Sequence, residues 1–262
     1  MINNLFYHFI PVVTSKIVLI MTRIFSALNY SKIFNNMHVN ITTKIILVYL
    51  ISNLLTPFIS NFQYSIYTID FFVVLFYQVL IGIMIGLLLQ FLSACMIFIG
   101  EIISSQMGLS FSVFFDLGRG FYSIVISRIL NIFFLFLFFI YNAHLNLVVF
   151  LVKSFYVFPL HEKFVDQNIF FSIIKFFGNI FISGIKSILP ILFFFLIFYI
   201  AFMMFDRLSP NSSLFSSFVI IIFICGLILL KYSICHLYFL GKFIIKHLFN
   251  YLKDYIIQYL SN

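Results

Sequence analysis

The chain of 262 residues is too apolar for a water-soluble domain. Hydrophobic residues make up 64% of it and charged residues 8%, whereas soluble domains contain about 25% charged residues. The net charge is +8, from 15 Lys and Arg against 7 Asp and Glu, which is typical of attraction to a membrane surface. Nucleic acid is not expected as a partner, because no known binding motif accompanies the charge. We predict an all-α polytopic membrane protein with a single membrane domain over residues 1–262.

Six apolar segments of helical length follow one another along the chain. A bilayer core about 30 Å thick is crossed by about 20 helical residues, so three of the segments are too long for one crossing. We expect these to tilt, kink or extend beyond the bilayer, and Pro190 allows the fifth to form two helices. The segments cover residues 10–29, 41–60, 69–100, 121–151, 170–205 and 214–240.

Two features stand out around the third segment. Gly82 and Gly86 form a GxxxG pair, a spacing that lets two helix backbones approach closely, and we interpret it as an intrachain or subunit packing site. Residues 101–120 then form a predicted loop rich in Phe, Gly and Ser, with the carboxylates of Glu101 and Asp116 within it.

Ionisable residues also lie within the apolar segments, where each would cost several kcal/mol if it faced lipid. They are Lys16, Arg23, Arg128, Lys175 and Lys186. We expect Arg128 to pair with Glu101 or Asp116. Snorkelling to the membrane surface stays open for Lys16 and Lys175.

The fifth segment carries a polar stripe. At 100° per residue, its members fall within an arc of about 80°, which suits a helix contact or a water-filled path. They are Lys175, Asn179, Ser183 and Lys186.

The end of the chain is predicted to be a basic amphipathic tail over residues 241–262, suited to a membrane surface or a partner protein. Its basic face holds Lys242, Lys246 and Lys253.

Enzyme chemistry is not indicated. The acidic and histidine side chains are scattered and no catalytic, nucleotide-binding or metal-binding motif occurs, so we expect no catalytic, cofactor or metal site. His144 lies beside Asn142 in a polar group within an apolar run, and we interpret it as a structural, hydrogen-bonded histidine rather than a proton relay. The three cysteines, Cys95, Cys225 and Cys235, lack CxxC spacing and are expected to behave as small apolar residues.

A family resemblance rests mainly on residues 78–159, where glycines and polar residues stand at characteristic positions. They are Gln78, Gly82, Gly86, Gln90, Gly100, Glu101, Gln106, Met107, Gly108, Ser110, Phe111, Asp116, Arg128, Asn142, His144 and Pro159. Together with the turn Asp206-Arg207-Leu208-Ser209-Pro210, they make the chain similar to the FliR family, the flagellar biosynthetic export-gate subunits of bacterial type III secretion. Leu117 and Ala143 depart from the family, which usually has Pro and Gly there.

The resemblance implies a non-enzymatic core channel subunit of the flagellar protein export apparatus, without a cofactor. It implies a multi-pass protein of the bacterial inner membrane and flagellar basal body, assembled with FliP-like and FliQ-like gate subunits and contacting FlhB-like and FlhA-like export proteins. Unfolded flagellar proteins would be the export substrates.

The resemblance also implies roles for individual residues. In the family the loop corresponding to residues 106–116 plugs the pore, and the plug residues here would be Met107, Gly108, Phe111, Phe114 and Phe115. Structural polar and packing roles fall to Gly82, Gly86, Glu101, Asp116, Arg128, Asn142, His144, Lys186 and Arg207.

Two other functions remain open. The first is the same role in a virulence injectisome, whose counterpart subunit shares the fold. The second is a self-contained secondary transporter that uses Arg128 and Lys186 as substrate or proton sites. An internal inverted repeat would support the transporter, and the sequence shows none.

Overall fold

A computed structural model describes residues 2–31, 40–59, 69–109, 125–160, 167–208 and 214–260. These residues form seven α-helices and a short 3-10 turn, Thr56–Phe58, and contain no strand. The predicted all-α class is therefore confirmed. The helices are α1 Ile2–Tyr30, α2 Ile41–Leu55, α3 Ile69–Gln106, α4 Val125–Ile140, α5 Ala143–Val157, α6 Gln167–Leu208 and α7 Leu214–Leu260.

Four stretches of the described helices are long and apolar enough to cross a membrane, and five if α4 and α5 count as one broken span. The four are Ile41–Phe58, Ile69–Gln106, Phe171–Phe205 and Ile220–Tyr251. The sequence predicted about six. The remaining predicted segment, residues 10–29, lies within α1, whose side chains the structure describes only from Ser15 onward.

Two predicted segments differ from the helices that form. The predicted segment 121–151 is interrupted between α4 and α5, where Asn142 adopts a left-handed backbone conformation with φ 50°, which Asn tolerates better than most residues. Segment 170–205 does not divide, because α6 continues through Pro190. A break there would leave further backbone groups without hydrogen bonds in apolar surroundings, and the prediction of two helices was wrong.

The predicted tail is part of a longer helix. Residues 214–240 and most of the tail belong to α7, a helix of 47 residues. Leu237, Leu240 and Ile244 are buried at steps of three and four residues, whereas Lys246 is exposed. The buried side of the helix therefore continues from the apolar segment into the tail.

The chain divides into two compact units. The first comprises residues 1–91, 142–175 and 248–262, and the second comprises residues 92–141 and 176–247. Fully buried residues of the first unit include Leu19, Ile20, Ile24, Val74 and Leu248, and those of the second include Leu92, Met96, Ile99, Phe134, Phe138 and Ile244.

In the first unit, α2 shows how polarity is arranged. This helix packs against α1 and buries Lys44 and Ser52 together with Val48. Its opposite side exposes large apolar residues, such as Ile46 at 59% and Leu54 at 71%. A helix of a soluble protein has the reverse pattern, so this outer side suits lipid or another membrane subunit.

Arg23 is the most constrained charged residue of the first unit. It lies on α1, is completely buried and donates hydrogen bonds to α3 and α5. Its Nε bonds Gln78 Oε1 at 2.6 Å, and its two terminal nitrogens bond the carbonyl oxygens of Ser154 at 2.9 Å and Phe158 at 2.8 Å. The guanidinium also lies 4.1 Å from the centre of the Phe155 ring.

These contacts explain how the cation is stabilised. The last carbonyl groups of an α-helix lack donors within the helix and carry partial negative charge. At the C-terminal end of α5, the Ser154 carbonyl accepts the Phe158 N–H and Arg23 adds a second donor to it, while the Phe158 carbonyl just beyond the helix receives a donor from Arg23. The charge of Arg23 is in turn offset by the negative end of the helix dipole.

Lys16 has the same role two turns earlier on α1. It is 8% exposed, and its Nζ donates to the carbonyl oxygen of Ile59, 2.8 Å away, just after the 3-10 turn. Snorkelling therefore does not describe Lys16 in this structure. Two cations on α1 thus bind the carbonyl ends of two other chain segments.

The predicted GxxxG pair lies where α3 meets α1. A Cβ atom on Gly86 would come within 2.7 Å of Tyr30 Cβ and 2.8 Å of the Ala27 carbonyl oxygen. A Cβ atom on Gly82 would collide with Ser26 and with the Arg23 carbonyl oxygen. Both glycines therefore permit a backbone approach that no larger residue would allow, and this approach places Gln78 within reach of Arg23.

Arg23→Met should destabilise the first unit by about 3 kcal/mol, because Gln78 Oε1 and the Phe158 carbonyl oxygen lose the donor that Arg23 provides and an unsatisfied buried group costs about 1–3 kcal/mol. Arg23→Lys keeps the charge but has a single donor group, so its stability should lie between those of the unmodified protein and Arg23→Met. The measurement is the thermal midpoint of the protein in mild detergent. Thr22→Val is the control, since it removes only a bond within α1 to Leu19, and equal midpoints for Arg23→Met and Thr22→Val would contradict the assignment.

Candidate functional site at the end of helix α3

The C-terminal end of α3 has a defined terminating structure. Gly108 has φ 75°, the left-handed conformation in which glycine is favoured. Its N–H bonds the Ser105 carbonyl at 3.2 Å, and the Leu109 N–H bonds the Ser104 carbonyl at 3.1 Å. This pair of bonds is the Schellman arrangement that commonly ends helices.

The helix α3 ends later than predicted, so the loop also begins later. Residues 101–106 belong to the last turns of α3 rather than to a loop over 101–120. The helix continues through residues 101–106, which include no Gly or Asn to favour a left-handed turn. Residues 110–120 lie outside the described residues.

Met107 is held by α7 within the second unit. Its side chain is 1% exposed, and its Cγ, Sδ and Cε atoms lie against Gly226, where a Cβ atom would come 2.7 Å from Met107 Cε. Methionine is flexible and fills irregular space, so Gly226 supplies a notch and Met107 occupies it.

Tyr199 holds the same helix end from α6. Its hydroxyl group donates to the carbonyl oxygen of Gln106 at 2.8 Å, one of the end carbonyls that lack a donor in the helix. The Tyr199 ring packs edge-on against Phe218, with ring centres 5.5 Å apart, and Phe218 stacks on Phe202. The end of α3 is therefore fixed by both α6 and α7.

The remaining predicted residues lie at other places in the structure. Arg128 is exposed on α4, and Lys186 and Arg207 are exposed on α6. Asn142 is exposed between α4 and α5, and His144 is half-buried in the first turn of α5.

Several predicted loop residues cannot be placed. Glu101 is exposed near the end of α3, whereas Asp116 lies outside the described residues, as do Phe111, Phe114 and Phe115. The pairing of Arg128 with a carboxylate therefore stays a prediction. Among the described residues, no three His, Cys, Asp or Glu side chains are close enough to hold a metal ion.

The sequence analysis did not identify Tyr199 or the notch at Gly226. A signal was available for Tyr199, because it carries the single hydroxyl group in the apolar run over residues 188–205. A lone hydroxyl in such a run needs an acceptor. The position of that acceptor on α3 could not be read from the sequence.

Comparison with known proteins gives these features a context. The family described as bacterial export proteins, family 1, matches residues 14–247. The chain belongs to this family. The match includes all or part of each of the seven described helices, with the buried Arg23 and the end of α3 among the matched residues.

Several curated relatives carry the name flagellar biosynthetic protein FliR. The one from Buchnera aphidicola subsp. Schizaphis graminum is 42% identical over 212 residues, which is 81% of this chain and 82% of the relative. The one from Buchnera aphidicola subsp. Acyrthosiphon pisum is 36% identical over 82% of this chain and 83% of its own length. The Pectobacterium carotovorum relative is 33% identical over 74% of each.

Gly108→Ala should loosen the end of α3, because a left-handed conformation costs a residue with a Cβ atom about 1 kcal/mol. Amide hydrogen exchange at residues 108 and 109 should become about fivefold faster, and Gly108→Asn should have a smaller effect. Gly178→Ala is the control, since its Cβ atom would meet no atom within 4 Å. Unchanged exchange in Gly108→Ala would contradict the assignment of the helix end.

Proposed function

We propose that this chain is the FliR-type core channel subunit of the flagellar type III protein export apparatus. Family membership over residues 14–247 carries this proposal. The related proteins described above carry a flagellar name, which favours the flagellar apparatus over the virulence injectisome. The protein is embedded in the membrane through its apolar helices, and its membrane is the bacterial inner membrane at the flagellar basal body.

The surfaces that the chain leaves uncovered support the proposal of partner subunits. Large apolar residues are exposed on α2, α4 and α6, and cations such as Lys186 are exposed beside them. Apolar surface alone is compatible with lipid, but a cation at membrane depth needs protein or water. The FliP-like and FliQ-like gate subunits would cover these surfaces, while FlhB-like and FlhA-like proteins would contact the gate from outside the channel.

The role is structural rather than enzymatic. Unfolded flagellar proteins pass through the assembled gate, and partner proteins supply the energy. A self-contained transporter would use Arg128 and Lys186 as substrate sites, but no described contact brings these two exposed side chains together. The gate therefore remains the better-supported function.

Co-expression with FliP-like and FliQ-like subunits tests this proposal. The chain should be recovered from mild detergent as one complex with both, visible by native mass spectrometry, and should aggregate when it is made alone. A stable monomer that transports a small solute by itself would overturn the proposal in favour of the transporter.

We further propose that the loop after α3 closes the channel, with Met107, Gly108, Phe111, Phe114 and Phe115 as the plug. A plug needs a fixed point of attachment. The hydrogen bond from Tyr199 to Gln106 and the packing of Met107 against Gly226 fix the chain at the start of the loop. Apolar side chains at a narrow constriction exclude water and ions by dewetting.

Replacing Phe111, Phe114 and Phe115 together with Ala should give an assembled gate that conducts ions, because the side chains that exclude water are gone. The measurement is conductance of the complex in planar bilayers, together with growth inhibition of cells that produce it. Replacing the same residues with Leu is the matched control and should keep the gate closed. An assembled Ala variant as tight as the Leu variant would show that these residues only pack.

A further inference from the structure

The polar stripe of α6 remains exposed after the chain has folded. Lys175, Asn179 and Lys186 are exposed, and Ser183 is half-buried. Apolar residues on the same side of the helix are exposed as well, among them Ile182 and Leu189, at 52% each, and Phe193 at 65%. The stripe is therefore a polar strip within an apolar surface.

Within the chain, Ser183 has a hydrogen-bond partner, whereas the Lys186 side chain does not have one among the described residues. Ser183 Oγ donates to the Asn179 carbonyl at 2.8 Å, a bond within the helix that satisfies the hydroxyl. The ammonium group of Lys186 makes no hydrogen bond or ion pair with the described residues. The ammonium group of Lys186 therefore needs a partner outside the described residues.

Membrane lipids cannot easily supply these partners. Lys186 lies near the middle of the candidate span Phe171–Phe205, and a lysine side chain is shorter than half of a bilayer core about 30 Å thick. Lys175 lies eleven residues away, about 16 Å along the helix, so a placement that brings it to the lipid headgroups leaves Lys186 within the core.

The chain itself has too few carboxylates. It contains 15 Lys and Arg but only 7 Asp and Glu, so its acidic residues are too few to pair one to one with its cations. A water-filled path is disfavoured by Ile182 and Leu189, which flank Lys186 on the same exposed side. A buried cation among apolar residues is best neutralised by a carboxylate held on a rigid element.

We propose that the exposed side of α6 from Asn179 to Lys186 binds a membrane helix of another protein, which carries an Asp or Glu at the level of Lys186. The spacing of the stripe fits such a partner. The polar residues are four, four and three positions apart, so the line through them runs nearly parallel to the helix axis. A straight helix lying along α6 can therefore contact Asn179 and Lys186 together. This proposal rests on the proposed export-gate assembly and names the chemistry of one of its contacts.

Zero-length cross-linking tests the contact directly. A carbodiimide joins a lysine amine to a carboxylate in contact with it as an amide, taking up the elements of water as a urea. In the complex with the FliP-like and FliQ-like subunits, mass spectrometry should find Lys186 joined to an Asp or Glu of another subunit. Absence of that cross-link, with Lys186 instead modified by a membrane-impermeant amine reagent, would overturn the proposal in favour of a water-filled path.

Variants of Lys186 give a second, independent measurement. Lys186→Met should lower the yield of complex about tenfold or more, because the partner carboxylate loses its cation, and Lys186→Arg should restore it. Lys153→Met, which removes an exposed lysine near the end of α5, is the matched control and should assemble normally. Normal assembly of Lys186→Met would overturn the inference alone, whereas failure of the unmodified chain to assemble would overturn the proposed function.

Discussion

The first unit depends on cations that bind the carbonyl ends of helices inside an apolar protein. Each helix ends with backbone carbonyls that have no donor, and an apolar environment offers no water to satisfy them. Arg23 supplies donors to the end of α5 and Lys16 supplies one to Ile59. Both lie on α1, so this helix holds the surrounding segments and its charges are stabilised in return.

In the second unit, the carbonyl groups at the end of α3 receive hydrogen bonds from uncharged donors. Tyr199 donates a hydroxyl to Gln106, and Gly108 turns the chain so that its own N–H groups reach back to the last helical carbonyls. Neither device introduces a charge beside Met107. This difference suits a helix end from which an apolar plug would start, because a nearby charge would attract water into the constriction.

Helices α2 and α6 place their polar groups on opposite sides. The buried side of α2 carries Lys44 and Ser52, whereas its outer side carries Ile46 and Leu54. On α6, by contrast, Lys186 is exposed among apolar side chains. In a membrane assembly such an exposed cation indicates a contact that the single chain does not complete.

The sequence by itself determined the membrane class, most of the helical segments and the family, because hydropathy and helical spacing are local properties. It also singled out Gly82 and Gly86 as a packing pair. Tertiary structure decided where polar side chains find partners. Arg23 bonds residues 55 and 131 positions away, and the break at Asn142 and the continuity through Pro190 likewise depend on surroundings. Such partners are brought together only by packing, so no local pattern encodes them.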